Sequence, residues 1–293
     1  MINRKIRKSA KQFKFTRSAL KAISDYIEDF RDSAIKCFKI KPRHLEDLVY
    51  EVENYIKFLS LKHSIERKAE TVEIIDVAHT LKRLGKPTKF IKSHYKNGKT
   101  YMCIQQSIAE GFLLLKRRLQ LARYPKVLDA GCGWGRLLKR MHEGDYEDLE
   151  MFGVDIDDLS LHYAKTINEV DTFIKSDIRM LPFKDEAFDI VICNGVIHEI
   201  KESKGRYRAM QEIARVLKPN GLLYFHDVFS KFSLIRFLTQ ILQFLTSKVE
   251  WVLKRSEFEE ILLKNNLKIV RKKKTHSHML GIMDLYQYVA IKS

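Results

Sequence analysis

Residues Val127–Gly135 read VLDAGCGWG, an apolar run that reaches an acid at Asp129 and then places glycines at 131, 133 and 135. This is the pattern of a strand that turns sharply into a helix. Glycine is required there because main chain that passes close to a ligand leaves no space for a Cβ. A glycine turn with no ligand can be spelled the same way, so the motif needs context. Context comes from Met151–Asp155, MFGVD, a second apolar run whose terminal acid lies 26 residues after Asp129. In a doubly wound sheet the neighbouring strand delivers such a carboxylate to its C-terminal end, where two oxygens can accept from ribose hydroxyls. The competing role, capping the following helix, suits Asp157 better, because it stands nearer the start of the periodic run at Leu159. A third run, Phe173–Ser176, leads into Asp177, and FDIVICNG at 188–195 supplies a fourth that ends at Asn194.

In order and spacing, Val127–Gly135, Val154–Asp155, Asp177–Phe183, Asp185, Phe188–Ile192 and Val196–His198 resemble the class I S-adenosylmethionine-dependent methyltransferases, particularly the large group acting on small molecules. EIARVLKPNGLLYFHD at 212–227 resembles the helix, Lys-Pro-x-Gly turn and fifth strand of the same family. The likeness covers roughly residues 120–293. Dinucleotide-dependent dehydrogenases are disfavoured, because the glycines are spaced GxGxG rather than GxGxxG. The resemblance implies S-adenosyl-L-methionine as cofactor, with Gly131 and Gly133 passing under its methionine part and Asp129 orienting the loop and the amino group. It further implies that Asp155 takes the ribose hydroxyls and that Ile156 packs on the adenine. Asp177 would accept from the adenine amine, the Ile178 backbone would donate to a ring nitrogen, and Asn194 would line the floor near the methionine.

A sulfonium is an activated methyl donor, so the protein has mainly to position an acceptor in line with the methyl carbon. An acceptor hydroxyl or ammonium would also need a base. His198, just past the fourth strand, is the candidate, and histidine suits the task at neutral pH. The alternative is a loop histidine packed beside the cofactor that transfers no proton. His226 and Asp227 end the fifth strand on the same rim and are weaker candidates. No Pro-Pro-aromatic follows Asn194, which lowers the weight of a nucleobase amine as target. Cys193 does not follow a proline, as the nucleophile of cytosine C5 enzymes does, and reads as a small hydrophobe.

Composition separates the chain into two parts. Residues 1–120 hold 27 Lys+Arg against 13 Asp+Glu, a net +14, which leaves 27 against 24, or +3, for residues 121–293. Residues 1–24 contain eight basic residues and no acid, with Phe13 and Phe15 interleaved, as an arm that meets nucleic-acid phosphates would. A solvated lysine-rich helix face explains the same composition, and an acid-poor start with serine also fits a transit peptide. The four cysteines, at 37, 103, 132 and 193, have no CxxC spacing, so a reducing, cytoplasmic setting and no metal site are expected. No run of 18 uncharged apolar residues predicts a membrane span.

Residues 16–84 read as helical throughout, broken by Pro42, with Leu45, Leu48, Val49, Val52, Tyr55, Ile56 and Leu59 on one apolar face. Residues 86–101 are lysine-rich without an acid and read as an exposed loop. Phe229–Leu253 read as an amphipathic helix over the rim of the sheet, which favours an apolar or amphipathic acceptor, although a packing helix or a membrane-surface helix has the same pattern. Ser256 and Glu259 are expected to form a capping box, and Arg271–Lys274 a solvated turn. The expected architecture is a basic helical N-terminal segment, residues 1–119, followed by an α/β domain, residues 120–293. That domain is a Rossmann-like, doubly wound, mostly parallel seven-stranded sheet whose last strand, near Leu285–Ile291, is antiparallel. Three functions follow: methyl transfer to a small-molecule acceptor, methylation of RNA or another macromolecule held by the basic segment, or a binding module that retains the fold without turnover.

Overall fold

The computed structural model describes residues 14–38, 42–69, 71–87, 125–142, 149–168, 172–230, 253–278 and 283–293, in two compact units, Met1–Cys103 and Ile104–Ser293. The expected boundary between residues 119 and 120 lies outside the described residues.

In the first unit, β1 (Lys14–Phe15) pairs in parallel with β2 (Thr71–Val72), and three helices follow the chain: α1 (Arg17–Phe38), α2 (Pro42–Glu66) and α3 (Ile74–Leu84). The reading of residues 16–84 as helical with a break at Pro42 is therefore corrected at Thr71–Val72. Pro42 opens α2, where its missing N–H costs nothing, and a two-residue strand interrupts the helices before α3. Part of the expected basic arm is also ordered structure, because Lys14 and Phe15 lie in β1 and Arg17 starts α1. Leu45, Val49, Val52 and Ile56 of α2 are buried, a stripe at spacings of three and four. Tyr55, on the margin of that stripe, is exposed, and the Leu48 side chain lies outside the described residues.

In the second unit the strands are β3 (Lys126–Ala130), β4 (Glu150–Asp155), β5 (Thr172–Lys175), β6 (Phe188–Asn194), β7 (Leu217–Ser230), β8 (Leu253–Lys254), β9 (Leu267–His278) and β10 (Met283–Lys292). Their order is β5-β4-β3-β6-β7-β10-β9, and the short β8 joins the far end of β7 as an eighth strand beside the seven expected. The five strands from β5 to β7 are parallel, and β10 runs antiparallel between β7 and β9. Helices α4 (Arg136–His142), α5 (Asp158–Ile167), α6 (Ser203–Val216) and α7 (Arg255–Lys264) lie between strands in the chain.

The parallel strands read as unbroken apolar runs because each face of the sheet is covered. Side chains alternate between two cores. Leu128, Val191, Cys193, Leu223 and Phe225 enter one, and Val127, Ile190, Ile192, Leu222 and Tyr224 enter the other. The Lys-Pro-x-Gly turn appears inside β7. Leu217 and Leu222 pair with Phe188 and Ile190, so residues 218–221 loop out, with Asn220 in the left-handed region at φ 60°. Lys218 Nζ closes that loop onto Asp189 at 2.9 and 3.0 Å.

Two expectations fail near the C-terminus. Helix α7 begins at Arg255 and has no side-chain cap, so Ser256 and Glu259 form no capping box. The Glu259 carboxylate instead accepts from Tyr288 Oη at 2.8 Å and Lys272 Nζ at 2.9 Å, partners that sequence spacing could not supply. Arg271–Lys274 is not a turn but part of β9, paired with Tyr286–Val289 of β10. Its basic residues take alternating positions along the strand. Of the expected basic loop at 86–101 and amphipathic helix at Phe229–Leu253, residues 88–101 and 231–252 lie outside the described residues, and the ends of that helix are corrected, because Phe229 and Ser230 belong to β7 and Leu253 to β8.

One buried carboxylate joins the helices of the first unit. Asp76 is fully buried and accepts from Arg67 Nε and Nη2 and from the Glu73 amide, each at 2.8 Å, and pairs with His63 Nδ1 at 2.7 Å. Burial alone would raise its pKa, but these donors outweigh it and hold the carboxyl at about 2, below its ordinary 3.8. A pKa lowered by folding means that the stabilisation is present above pH 4 and is lost as pH falls toward 2. Asp76→Ala is expected to cost about 3 kcal/mol at pH 7, as loss of one member of a buried pair does. In denaturant titrations at successive pH values, the gap between variant and wild type should close as pH drops from 4 to 2.

Candidate active site

The strand order reverses between β3 and β6, because β4 and β5 lie on one side of β3 and β6 and β7 on the other. Ligands of doubly wound sheets bind at such a switch point, beyond the C-terminal ends of the strands. Asp129, Asp155, Asn194, His226 and Asp227 lie at or near these ends.

The turn after β3 is held by its neighbour. The amides of Gly131 and Cys132 both donate to the Val154 carbonyl, at 2.8 and 2.9 Å. Gly131 sits at φ 84°, and a Cβ built there would lie 2.3 Å from Val196 Cγ2, so the turn fits under the segment after β6 only as glycine. Gly133 differs: its φ is 53°, yet a Cβ there would meet nothing within 4 Å. Its neighbourhood is open space at the mouth of the site. The Gly133 amide donates to Asp155 Oδ2 at 2.7 Å and the Asp157 amide to Oδ1 at 2.9 Å, which fixes the carboxylate and leaves further lone pairs for a ligand's hydroxyls. Asp157 caps α5 as expected, accepting from the Ser160 amide at 2.9 Å. Ile156 stands 62% exposed beside them, an apolar side chain open to a flat ligand.

Asp129 is the unusual group. It is buried, and no hydrogen bond from the described residues reaches its carboxylate. Burial, reinforced by the negative charge of Asp155 and only partly offset by Arg136, raises its pKa to about 7. A carboxylate in this condition lacks a cation and a donor. An α-ammonium supplies both, so the residues present fit the amino-acid end of S-adenosylmethionine.

The expected adenine end looks different. Asp177 accepts from the Arg179 amide at 2.8 Å and from Nε at 2.9 and 3.0 Å, with Nη2 on the same carboxylate, and these hydrogen bonds hold its pKa below the ordinary carboxylate value. A ligand donor that reached Asp177 would therefore share it with Arg179, a residue that the motif reading passed over. The Ile178 side chain packs in the core rather than the site.

At the other end of the site, His198 lies in a single 3₁₀ turn, Ile197–Glu199, and its Nδ1 is 2.6 Å from Asp227 Oδ1. Asp227 is buried and also accepts from the amides of Ile197, His198 and Val228 at 3.0, 3.3 and 2.7 Å. The carboxylate thus fixes both the ring and the loop that carries it. Sequence reading placed His198 and Asp227 on one rim but did not pair them, because 29 residues separate them. His226 points elsewhere: Nδ1 meets Asn194 Oδ1 at 3.0 Å and Nε2 meets Thr275 Oγ1 at 3.1 Å. Cys193 is fully buried with its thiol pKa pushed up by burial, in keeping with its reading as a small hydrophobe. Among the described residues no cluster of His, Cys, Asp and Glu could hold a metal ion, and no helix is long and apolar enough to cross a membrane.

The raised pKa of Asp129 ties binding to pH. Folding raises this pKa, so the acid is favoured in the folded protein and its contribution to stability falls as pH rises through 7. An ammonium ligand favours the carboxylate, so its binding releases a proton below pH 7. S-adenosylmethionine affinity should then rise between pH 5.5 and 7, by up to about tenfold per unit for one linked proton. Asp129→Asn should flatten that slope, as calorimetry across this range would record. Asp155→Ala should weaken binding by about 1.5–3 kcal/mol, the range for hydrogen bonds to a charged group.

Comparison with known proteins agrees with this geometry. Residues 128–225 match the family model described as a methyltransferase domain. The mitochondrial arginine-hydroxylase NDUFAF5 of Danio rerio is 33% identical over 99 residues, 34% of this chain and 29% of its own length. The sterol 24-C-methyltransferase erg6 of Schizosaccharomyces pombe is 25% identical over 200 residues, 62% of this chain and 51% of its own. The chain thus spans about half, or less, of the length of these curated relatives. Among solved structures, a geranyl diphosphate methyltransferase in complex with S-adenosylmethionine superposes with a TM-score of 0.52 at 13% identity, covering 64% of this chain and 85% of the other, a likeness of fold. Residues 128–225 are therefore a methyltransferase domain, set in a fold shared with solved S-adenosylmethionine-dependent methyltransferases.

Proposed function

We propose that this protein transfers a methyl group from S-adenosylmethionine to a small, amphipathic acceptor, with His198 taking the acceptor's proton. The observation that carries the reading is the His198–Asp227 pair, 2.6 Å apart, on a rim shared with the glycine turn. When bound, the cofactor supplies a methyl group already activated by its sulfonium. The protein's own part is placement. Asp129 would hold the ammonium, the open backbone at Gly133 would admit the methionine part, Asp155 would take the ribose hydroxyls and Ile156 would pack on the adenine. Asp177 would accept from the purine amine in competition with Arg179, and the Ile178 backbone would donate to the ring. Placement of this kind accounts for roughly 7–11 kcal/mol in well-oriented model reactions.

His198 would act through Nε2. Asp227 accepts the proton on Nδ1, which leaves Nε2 as the basic nitrogen, and the buried carboxylate stabilises the imidazolium formed when Nε2 gains a proton. An acceptor hydroxyl or ammonium would lose its proton to this nitrogen as its heteroatom bonds to the methyl carbon. The amphipathic character of the acceptor rests on the sequence of residues 229–253, and a sterol methyltransferase among the relatives supports it.

The test is a screen of amphipathic alcohols and amines with S-adenosylhomocysteine formation as the readout. With an acceptor in hand, His198→Ala should lower kcat by about 10²–10⁴-fold with cofactor affinity retained, the usual contribution of a positioned base. Asp227→Asn should lower kcat by a smaller factor and shift the pH profile. A kcat unchanged in His198→Ala across pH would remove the base. Turnover found only with RNA, and falling steeply with added salt, would replace the small acceptor with nucleic acid.

A further inference from the structure

His226 is a buried histidine that the reading above leaves without a task. It lies on β7 beside Asn194, at the C-terminal end of β6, and the two are direct partners in the parallel ladder. Burial lowers its pKa to about 4, against a smaller opposing effect of Asp227, so the ring is neutral at physiological pH. A neutral imidazole has one N–H and one lone pair. The Asn194 oxygen facing Nδ1 at 3.0 Å can only accept, so the proton is on Nδ1. Nε2 is then the acceptor, and the Thr275 hydroxyl on β9, which lies 3.1 Å from Nε2 and 3.3 Å from the Leu285 carbonyl, gives its single proton to the nearer imidazole nitrogen. Three side chains from three strands form one hydrogen-bond chain with a single direction, from Thr275 through His226 to Asn194.

That direction decides what Asn194 offers. With Oδ1 occupied by His226, the amide turns its NH₂ group away, and no described residue accepts from it. Asn194 is half-buried, on the strand next to β3, two residues beyond Ile192, which registers with Asp129. We infer that His226 is a positioning residue that locks Asn194 with its NH₂ group toward the cofactor site, where it donates to the carboxylate of the cofactor's methionine part. The inference rests on the cofactor reading above and divides the amino-acid end between two side chains. Asp129, an acceptor without a donor, addresses the ammonium, and Asn194, a donor without an acceptor, addresses the carboxylate. The amide could not do this if it were free to rotate, since its oxygen would then repel the carboxylate in half of its orientations.

Two measurements test it. In ¹⁵N-histidine-labelled wild-type protein at pH 7, the His226 resonances, assigned by their loss in His226→Phe, should report protonated Nδ1 and unprotonated Nε2. The opposite tautomer would overturn the chain's direction. In calorimetry, Asn194→Ala should weaken S-adenosylmethionine binding by about tenfold, and Asn194→Asp, which puts a negative charge where the NH₂ stands, by at least a further tenfold. Decarboxylated S-adenosylmethionine should bind wild type and Asn194→Ala alike. Binding by Asn194→Asp equal to or tighter than wild type, or a decarboxylated analogue that still distinguishes wild type from Asn194→Ala, would overturn the role. Wild type that binds no S-adenosylmethionine would overturn the cofactor reading, and the tautomer would still decide the His226 chain on its own.

Discussion

A buried carboxylate without a hydrogen-bond donor is costly, and Asp129, at the end of the central strand β3, has none among the described residues. Burial and the nearby charge of Asp155 push it toward its neutral form, and Arg136 offsets this only in part. A ligand that brought a positive charge and an N–H together would relieve that cost. The rest of the domain is arranged around that demand. The sheet places the group at the switch point, the Val154 carbonyl fixes the turn above it, and the open space at Gly133 leaves a way in.

The other polar groups of the site are already engaged, and this sets their orientation before any ligand arrives. Asp155 accepts two amides, Asp177 is gripped by Arg179, Asp227 holds the His198 ring and its loop, and His226 holds Asn194. A site assembled in advance does not lose energy to reorganisation during the reaction, which is the main contribution open to a protein whose donor is already activated. Asp177 also shows the limit of that arrangement, since any ligand donor that reached its carboxylate would share it with Arg179.

Much of this was legible in the sequence where the determinants are local. Strand, glycine turn and acid lie within nine residues at Val127–Gly135, and the alternation of Ile190–Cys193 between two cores follows from the strand period alone. The cap at Asp157 is set by a residue three positions away. What was missed depends on partners distant in sequence. Glu259 satisfies the capping-box spacing yet bonds to Lys272 and Tyr288, because the strands carrying those groups pack against α7. Arg271–Lys274 has the composition of a solvated turn, but its backbone groups are claimed by β10. Likewise, neither the His198–Asp227 pair nor the chain from Thr275 to Asn194 has a spacing that sequence could encode, since the sheet topology brings them together.

Every role proposed for the site depends on cofactor binding, which titration calorimetry of the full chain with S-adenosylmethionine and then S-adenosylhomocysteine tests most directly. Both share the ammonium, carboxylate, ribose and adenine that the site is built to meet, so both should bind in the micromolar range at pH 7.5. A folded protein, judged by a cooperative thermal transition, that binds neither ligand would contradict the account.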